Sequence, residues 1–275
     1  MKAKHYLVAC IATGLVAVIY VFGTTKFPAK ALEKEGQQLT IETLLSDARG
    51  KLQPPARATE TTLYNQLLAS RSTADSAQAC ESLMKFWGND QGNHDIATWY
   101  LAQKAKLENS EKSLTFAAHF ILENTIHNNA NMLSSGWKAG LARELFTAAL
   151  KKNPDSDSLK TGLGAAYLFG SGANTMEGVT MILQQLKNDS ANAFAHKMLG
   201  FGNIRNGELN KAVSRFETSL QINPADTSLV PMLALLCREA RDSVRAEKWF
   251  KRTRQVLSGN PALLQDFEAQ YQSLK

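Results

Sequence analysis

His119, Glu123 and His127 fall at i, i+4 and i+8 of one helical pattern, so a helix would set all three on one face. Two imidazoles and a carboxylate so placed are donors that zinc accepts. The HExxH order of a metalloprotease helix is absent, because Phe120 follows His119. A polar stripe on an exposed helix accounts for these residues more simply than a metal. Gly162-Leu163-Gly164 and Gly170-Ser171-Gly172 are glycine-rich, but no strand-like stretch precedes them and no Gly-Lys-Ser/Thr follows, so neither reads as a phosphate loop. There is no GxSxG turn, and no local signature couples a cysteine to a histidine. Cys80 and Cys237 are far apart at helical apolar positions, with neither CxxC nor metal spacing, and read as small buried hydrophobes; Cys10 lies in the apolar N-terminal segment. No catalytic, metal or cofactor residue emerges. The chain reads as an interaction protein rather than an enzyme; the alternative is a helical enzyme or ligand-binding domain whose site is assembled from distant residues.

Composition bounds the elements that would carry any such surface. With 20% charged and 44% apolar residues among 275, the bulk is a folded chain, not a disordered one. Only 7 prolines and 17 glycines occur, which with abundant Ala, Leu, Lys, Gln and Glu favours helices. No useful stretch of strand-like alternation appears, so the expected class is all-α. The net charge is +6 and the pI about 9.2. The densest basic stretch, Arg238 to Arg254, is interleaved with Glu239, Asp242 and Glu247 and reads as a solvated helix surface, so no nucleic-acid partner is expected.

Residues 1–5 form a basic tail carrying Lys2 and Lys4, and Tyr6 to Gly23 then run eighteen residues without a charge. As a helix rising about 1.5 Å per residue this spans roughly 27 Å, close to a hydrocarbon core. Three readings compete. A retained signal-anchor has the length. A cleaved signal could end at Ala29-Lys30-Ala31, giving an exported soluble adaptor, although Pro28 and two lysines crowd that site. Leu7-Val8-Ala9-Cys10 looks like a lipobox but comes too early, since the longer apolar stretch follows Cys10. The anchor accounts best for the segment. Lysines stand on both sides of it, so their count does not set orientation. The short basic tail and long body argue for export of the body.

Residues 24–58 read as a tether, with one short helix at Ile41 to Leu52 broken by Pro54-Pro55. Residues 59–136 read as degenerate helical pairs. Thr62 to Ser70 pairs with Ser76 to Trp87; Gly88 to His94 is a loop; Asp95 caps Ile96 to Leu107; Lys112 to Ile126 follows.

From Trp137 the pattern sharpens. Ala142-x3-Phe146 followed by Asn153-Pro154 recurs as Ala212-x3-Phe216 followed by Asn223-Pro224. Gly178-x3-Ile182 fills the place midway between these two, and Ala246-x3-Phe250 continues the series at the same step. Upstream, Leu163-Gly164-x2-Tyr167 becomes Leu199-Gly200-x2-Asn203 and then Leu233-Ala234-x2-Cys237. This resembles the tetratricopeptide repeat, W-x2-L-G-x2-Y…A-x3-F…P at a period of about 34, although Lys160, His196 and Val230 stand in the tryptophan slot. The resemblance is specific over residues 137–260 and loose over 59–136. Units are expected at 157–192, 193–226 and 227–260, with Ala262 to Leu274 as a closing helix and 137–275 as the array. Gly164, Gly200 and Ala212 suit close helix approach, and Tyr167, Phe216 and Phe250 the space between pairs. Gly170 to Thr175 is a two-residue expansion of one turn, readable as a contact loop or a plain insertion.

The resemblance implies a right-handed superhelical solenoid whose first helices line a concave face, and a protein-binding scaffold held at the membrane, on the periplasmic side. Carried over by register, the groove would take Ser158, Thr161, Ala165 and Leu168, then Phe194, Lys197, Phe201 and Ile204, then Ser228, Pro231, Leu235 and Arg238. Such a groove would suit a peptide with apolar anchors and an acidic group. Phe194 and Phe201 could equally pack between units. The N-terminal reading makes its own prediction: the intact mass of the mature protein should include Tyr6 to Gly23. A species beginning at Leu32 overturns the anchor, and a lipid-modified Cys10 at a new N-terminus restores the lipobox.

Overall fold

The structure is a computed structural model that describes residues 39–127, 132–170 and 174–274. Thirteen α-helices and no strand occur among these residues: α1 Ile41–Lys51, α2 Pro54–Ala69, α3 Thr73–Lys85, α4 His94–Glu108, α5 Glu111–His127, α6 Met132–Lys152, α7 Asp157–Phe169, α8 Thr175–Asn188, α9 Ala193–Arg205, α10 Leu209–Ile222, α11 Leu229–Glu239, α12 Ser243–Leu257 and α13 Pro261–Ser273. They pack in sequence as neighbouring pairs. The tightest are α3 with α4, α5 with α6, α7 with α8, α9 with α10 and α11 with α12. None of these helices is long and apolar enough to cross a membrane, and Tyr6 to Gly23 lies outside the described residues.

The turns between pairs repeat in hydrogen bonds as well as in sequence. The amide of Ser156 donates to the Asn153 carbonyl, Asn192 to Asp189, Asp226 to Asn223 and Asn260 to Leu257, once per unit along the array. Side-chain oxygens of Ser156, Asn192 and Asn260 then cap the next helix, accepting from Leu159, Ala195 and Leu263. Inside the units a second turn recurs. Glu208 N donates to the Asn203 carbonyl at 2.8 Å, and in the following unit Asp242 N donates to that of Cys237 at 2.9 Å. Gly207 at φ 73° and Arg241 at φ 58° hold the equivalent left-handed position, which glycine takes freely and arginine only at a cost.

Close approach explains the small residues. A Cβ on Gly178 would come within 2.5 Å of the Leu168 amide and collide with the Gly164 carbonyl, which is why glycine stands where the other units have alanine. Gly200 lies under the Phe216 ring, which also meets Phe201 edge-on at 5.0 Å. Phe216 thus fills its own pair, whereas Phe250 reaches forward to Tyr271 of α13 at 4.5 Å. Tyr167, expected between pairs, is half-buried beneath the Arg143 guanidinium.

Three expectations change before residue 110. The tether does not extend to residue 58. Thr40 caps α1, Leu52 is buried, and Leu44, Leu45 and Ala48 join a core of Leu83, Phe86, Trp87, Ile96 and Tyr100. Arg49 binds Glu60 through Nε at 2.9 Å and Nη2 at 2.6 Å, tying α1 to α2; Pro54 and Pro55 open α2, where their missing amides are unneeded. The principal partner of α3 is α4, not α2, and Phe86–Asp90 extends α3 as a wider π turn. Asn93 caps α4, while Asp95 accepts Lys138 Nζ at 3.0 Å and Ser134 Oγ at 2.7 Å, joining two pairs. Of the expanded turn Gly170 to Thr175, residues 171–173 lie outside the described residues.

Gly178→Ala should lower stability by about 2–3 kcal/mol, because the added methyl meets backbone rather than a movable side chain. Gly50→Ala meets nothing within 4 Å on α1 and should stabilise by about 0.5–1 kcal/mol. Thermal melting of the two variants checks both signs.

Candidate docking surface

Much of the register-derived groove is occupied by the protein itself. Thr161, Ala165 and Leu168 are buried, and Ser158 is exposed. A Cβ on Gly202 would meet Leu168 at 3.0 Å, and Arg205 Nη1 donates to the Leu168 carbonyl at 3.0 Å, so α9 lies directly over this part of α7. Phe201 is only 7% exposed, in the core against Phe216. The placement of Phe201 as an open groove wall is therefore corrected, since its ring is needed to fill the α9–α10 pair. Half-buried Phe194 meets His119 edge-on at 5.2 Å, and Ile204 and Leu235 are likewise half-buried against the core. Ser228 is exposed and Pro231 half-buried.

Neither groove cation is unengaged. Lys197, 15% exposed, donates to Asp226 Oδ2 at 2.9 Å. Asp226 holds the cap position that Ser156, Asn192 and Asn260 hold in other turns, but its carboxylate accepts Lys197 and the Ser228 hydroxyl instead. Without that cap, α11 begins only at Leu229. Burial disfavours the charged Asp226, yet these hydrogen bonds outweigh it and hold its pKa below the ordinary value. Arg238 lies over the Tyr271 ring at 4.6 Å, and its Nε donates to the Leu274 carbonyl at 2.9 Å. The closing helix thus takes up the second charge.

The possible metal face is reorganised in the same way. His119 meets Phe146 at 5.0 Å as well as Phe194, and burial lowers its pKa against the opposing charge of exposed Glu123. The His127 side chain lies outside the described residues. No group of three or more potential metal ligands stands together among those described. Burial raises the thiol pKa values of Cys80 and Cys237, the latter to about 11, which disfavours reactive thiolate.

An open apolar cleft lies elsewhere, between the α3–α4 pair and α5, with a volume of about 360 Å³. Met84, Ala97 and Leu101 line it, and Phe116 and Phe120 stand at its edge. These rings stack at 6.2 Å, with Phe116 63% and Phe120 46% exposed. The cause is helical spacing. Leu114, Ala117, Ala118, Ile121 and Leu122 bury one face of α5, which leaves positions 116 and 120 on the other. Lys85 at the rim is paired with Glu81 at 2.7 Å; Lys104 and Lys85 hydrogen bonds bring the Glu81 pKa down to about 2, so that pair stays ionised and matched. The positions carried over by register begin at Ser158 and so do not reach this cleft. Two phenylalanines opposite the apolar stripe of α5 were the available signal. No protein-family model and no curated protein matches the chain.

Lys197→Glu should set a carboxylate against Asp226 and destabilise by about 1–3 kcal/mol, less than a fully buried pair would lose. The exchange Lys197→Glu with Asp226→Lys should recover part of that loss. Melting curves that do not distinguish the single change from wild type would show that the pair does not tie the two units.

Proposed function

We propose that this chain is a membrane-anchored helical-repeat scaffold of the tetratricopeptide type. Its right-handed array stands on the periplasmic side and recruits partner proteins to the bilayer surface. Tyr6 to Gly23 supplies the anchor, supported by its length and lack of charge. The repeat reading is supported by one turn geometry recurring in step with the sequence pattern, at Asn153, Asp189, Asn223 and Leu257.

The observation that carries protein binding is the Phe116–Phe120 pair beside the apolar cleft. Large exposed aromatics over a concave apolar floor are costly to leave in water and are the side chains that dominate binding energy in interfaces. A partner segment would cover the two rings and place an apolar side chain in the cleft. Nearby, Lys85 and Lys104 share Glu81, and Glu108 stands 3.7 Å from Lys104, so the two cations are matched by two carboxylates and attraction there is chiefly apolar.

The full chain, captured from membranes in neutral detergent, should retain one or more polypeptides. Phe116→Ser with Phe120→Ser should reduce that capture at least about tenfold, while melting shifts by no more than about 0.5 kcal/mol because both rings are exposed. Capture unaffected by the double change would remove this cleft as the docking site. Retention of small molecules alone would remove the scaffold reading.

A further inference from the structure

A second groove, of about 550 Å³, runs between α10 and α12, the second helices of the last two pairs. Leu220, Val230 and Trp249 line it, with Lys248, Lys251 and Arg252 along the α12 side. Glu217 is the lone carboxylate of the lining, and it is already engaged. It accepts Trp249 Nε1 at 2.9 Å and has Arg245 at 3.6 Å and Lys248 at 4.0 Å. Lys251 leans on Glu247 at 3.2 Å, an exposed pair that exerts little hold. Arg252 donates to the uncharged Gln255 side chain at 3.1 Å. The groove therefore carries positive charge that its own carboxylate does not balance, above an apolar floor.

We propose that this groove binds an acidic segment of a partner protein. An apolar side chain of the segment rests on Leu220, Val230 and Trp249, and its carboxylates face Lys248, Lys251 and Arg252. The combination decides against the other polyanions. A nucleic-acid backbone calls for cations or hydrogen-bond donors tracking a line of phosphates, whereas here three cations flank a short apolar floor. A bilayer surface calls for protruding apolar side chains beside the charges. Among the described residues, none of the large exposed hydrophobics lines this groove, and Trp249 is recessed in it. The volume falls in the range of sites that hold a few residues' worth of ligand. Being on other helices, the groove stands apart from the Phe116–Phe120 cleft and does not depend on it.

The test uses the full chain in neutral detergent and a fluorescein-labelled pool of dodecapeptides alternating Asp or Glu with Leu or Phe. Fluorescence anisotropy should show saturable binding that weakens with salt. Lys248→Glu with Arg252→Glu should weaken it at least about tenfold, and the neutral pair Lys248→Gln with Arg252→Gln by a smaller factor, with melting unchanged. The same charge reversal at exposed Lys151 and Lys152 on α6 should leave binding intact, as should Phe116→Ser with Phe120→Ser. A matching pool with Lys in place of the acids should not bind the groove. The proposal is overturned if the acidic pool does not bind, or binds both groove variants as it binds wild type. It is also overturned if oligo-dT or phosphatidylglycerol vesicles, rather than the peptides, lose binding in those variants.

Discussion

Each helix pair leaves an apolar edge that its own two helices cannot cover, and only the next pair supplies the missing surface. The contacts that meet this need are specific. A Cβ on Gly162 of α7 would collide with the Phe146 ring of α6, so one pair's aromatic is seated on the backbone of the next. His119 of α5 is held against Phe146 of α6 and Phe194 of α9, joining the α5–α6 pair to the α9–α10 pair around one imidazole. Lys197 and Asp226 make the corresponding link by charge, and Asp95 with Lys138 makes it near the start of the stack. Removing any one of these loosens two pairs, because the interface is shared.

That requirement also decides where a ligand has room. First-helix positions reach a partner only if successive first helices stay apart. Here Gly202 admits Leu168, and Arg205 satisfies the Leu168 carbonyl, so α7 and α9 close on each other. Of the residues that register assigns to a concave groove, Thr161, Ala165 and Leu168 are buried by this packing, while Ser158 and Ser228 stay exposed. Surfaces that stacking does not consume include the outer ridge of α5 and the trough between α10 and α12. The core requires neither the Phe116–Phe120 ridge nor the cations of the trough, which leaves both available for binding.

Much of the fold was legible in the sequence because its signals are local. The Ala-x3-Phe recurrence, the Asn-Pro steps and the small residues at 164, 200 and 212 each act through neighbours one turn or one helix away. The unit boundaries expected at 157 and 193 accordingly coincide with the first residues of α7 and α9, and that at 227 lies in the turn just before α11. What was not legible depends on partners distant in sequence. Ile41 to Leu52 has the composition of a linker, and its place in the core comes from residues 83 to 100, which periodicity does not connect to it. Lys197 and Arg238 look like groove cations until Asp226 and the carbonyl of Leu274 are brought beside them. Phe201 illustrates the other limit: a helical face turned toward a groove and one turned toward a neighbouring ring have the same spacing. Phe116 and Phe120 were the opposite case, readable from their position across the helix from Ala117, Ala118, Ile121 and Leu122.

The end of the stack shows how covering an edge and leaving a charge free follow from the same constraint. The last pair has no successor among the described residues, so α13 takes its place: Phe267 and Tyr271 cover Phe250, Tyr271 receives the Arg238 guanidinium, and Glu268 holds Arg254 at 3.1 Å. Two of the basic residues between 238 and 254 are thereby engaged in closing the array. Arg245 is held by Asp242 at 2.6 Å at the start of α12. Lys248, Lys251 and Arg252 instead line the trough toward α10, whose buried lining residues are Val230 and Trp249. A cluster that composition alone presents as one solvated surface is therefore divided by packing. One part holds the end of the solenoid together, and the other borders a groove whose three cations outnumber the one carboxylate of its lining.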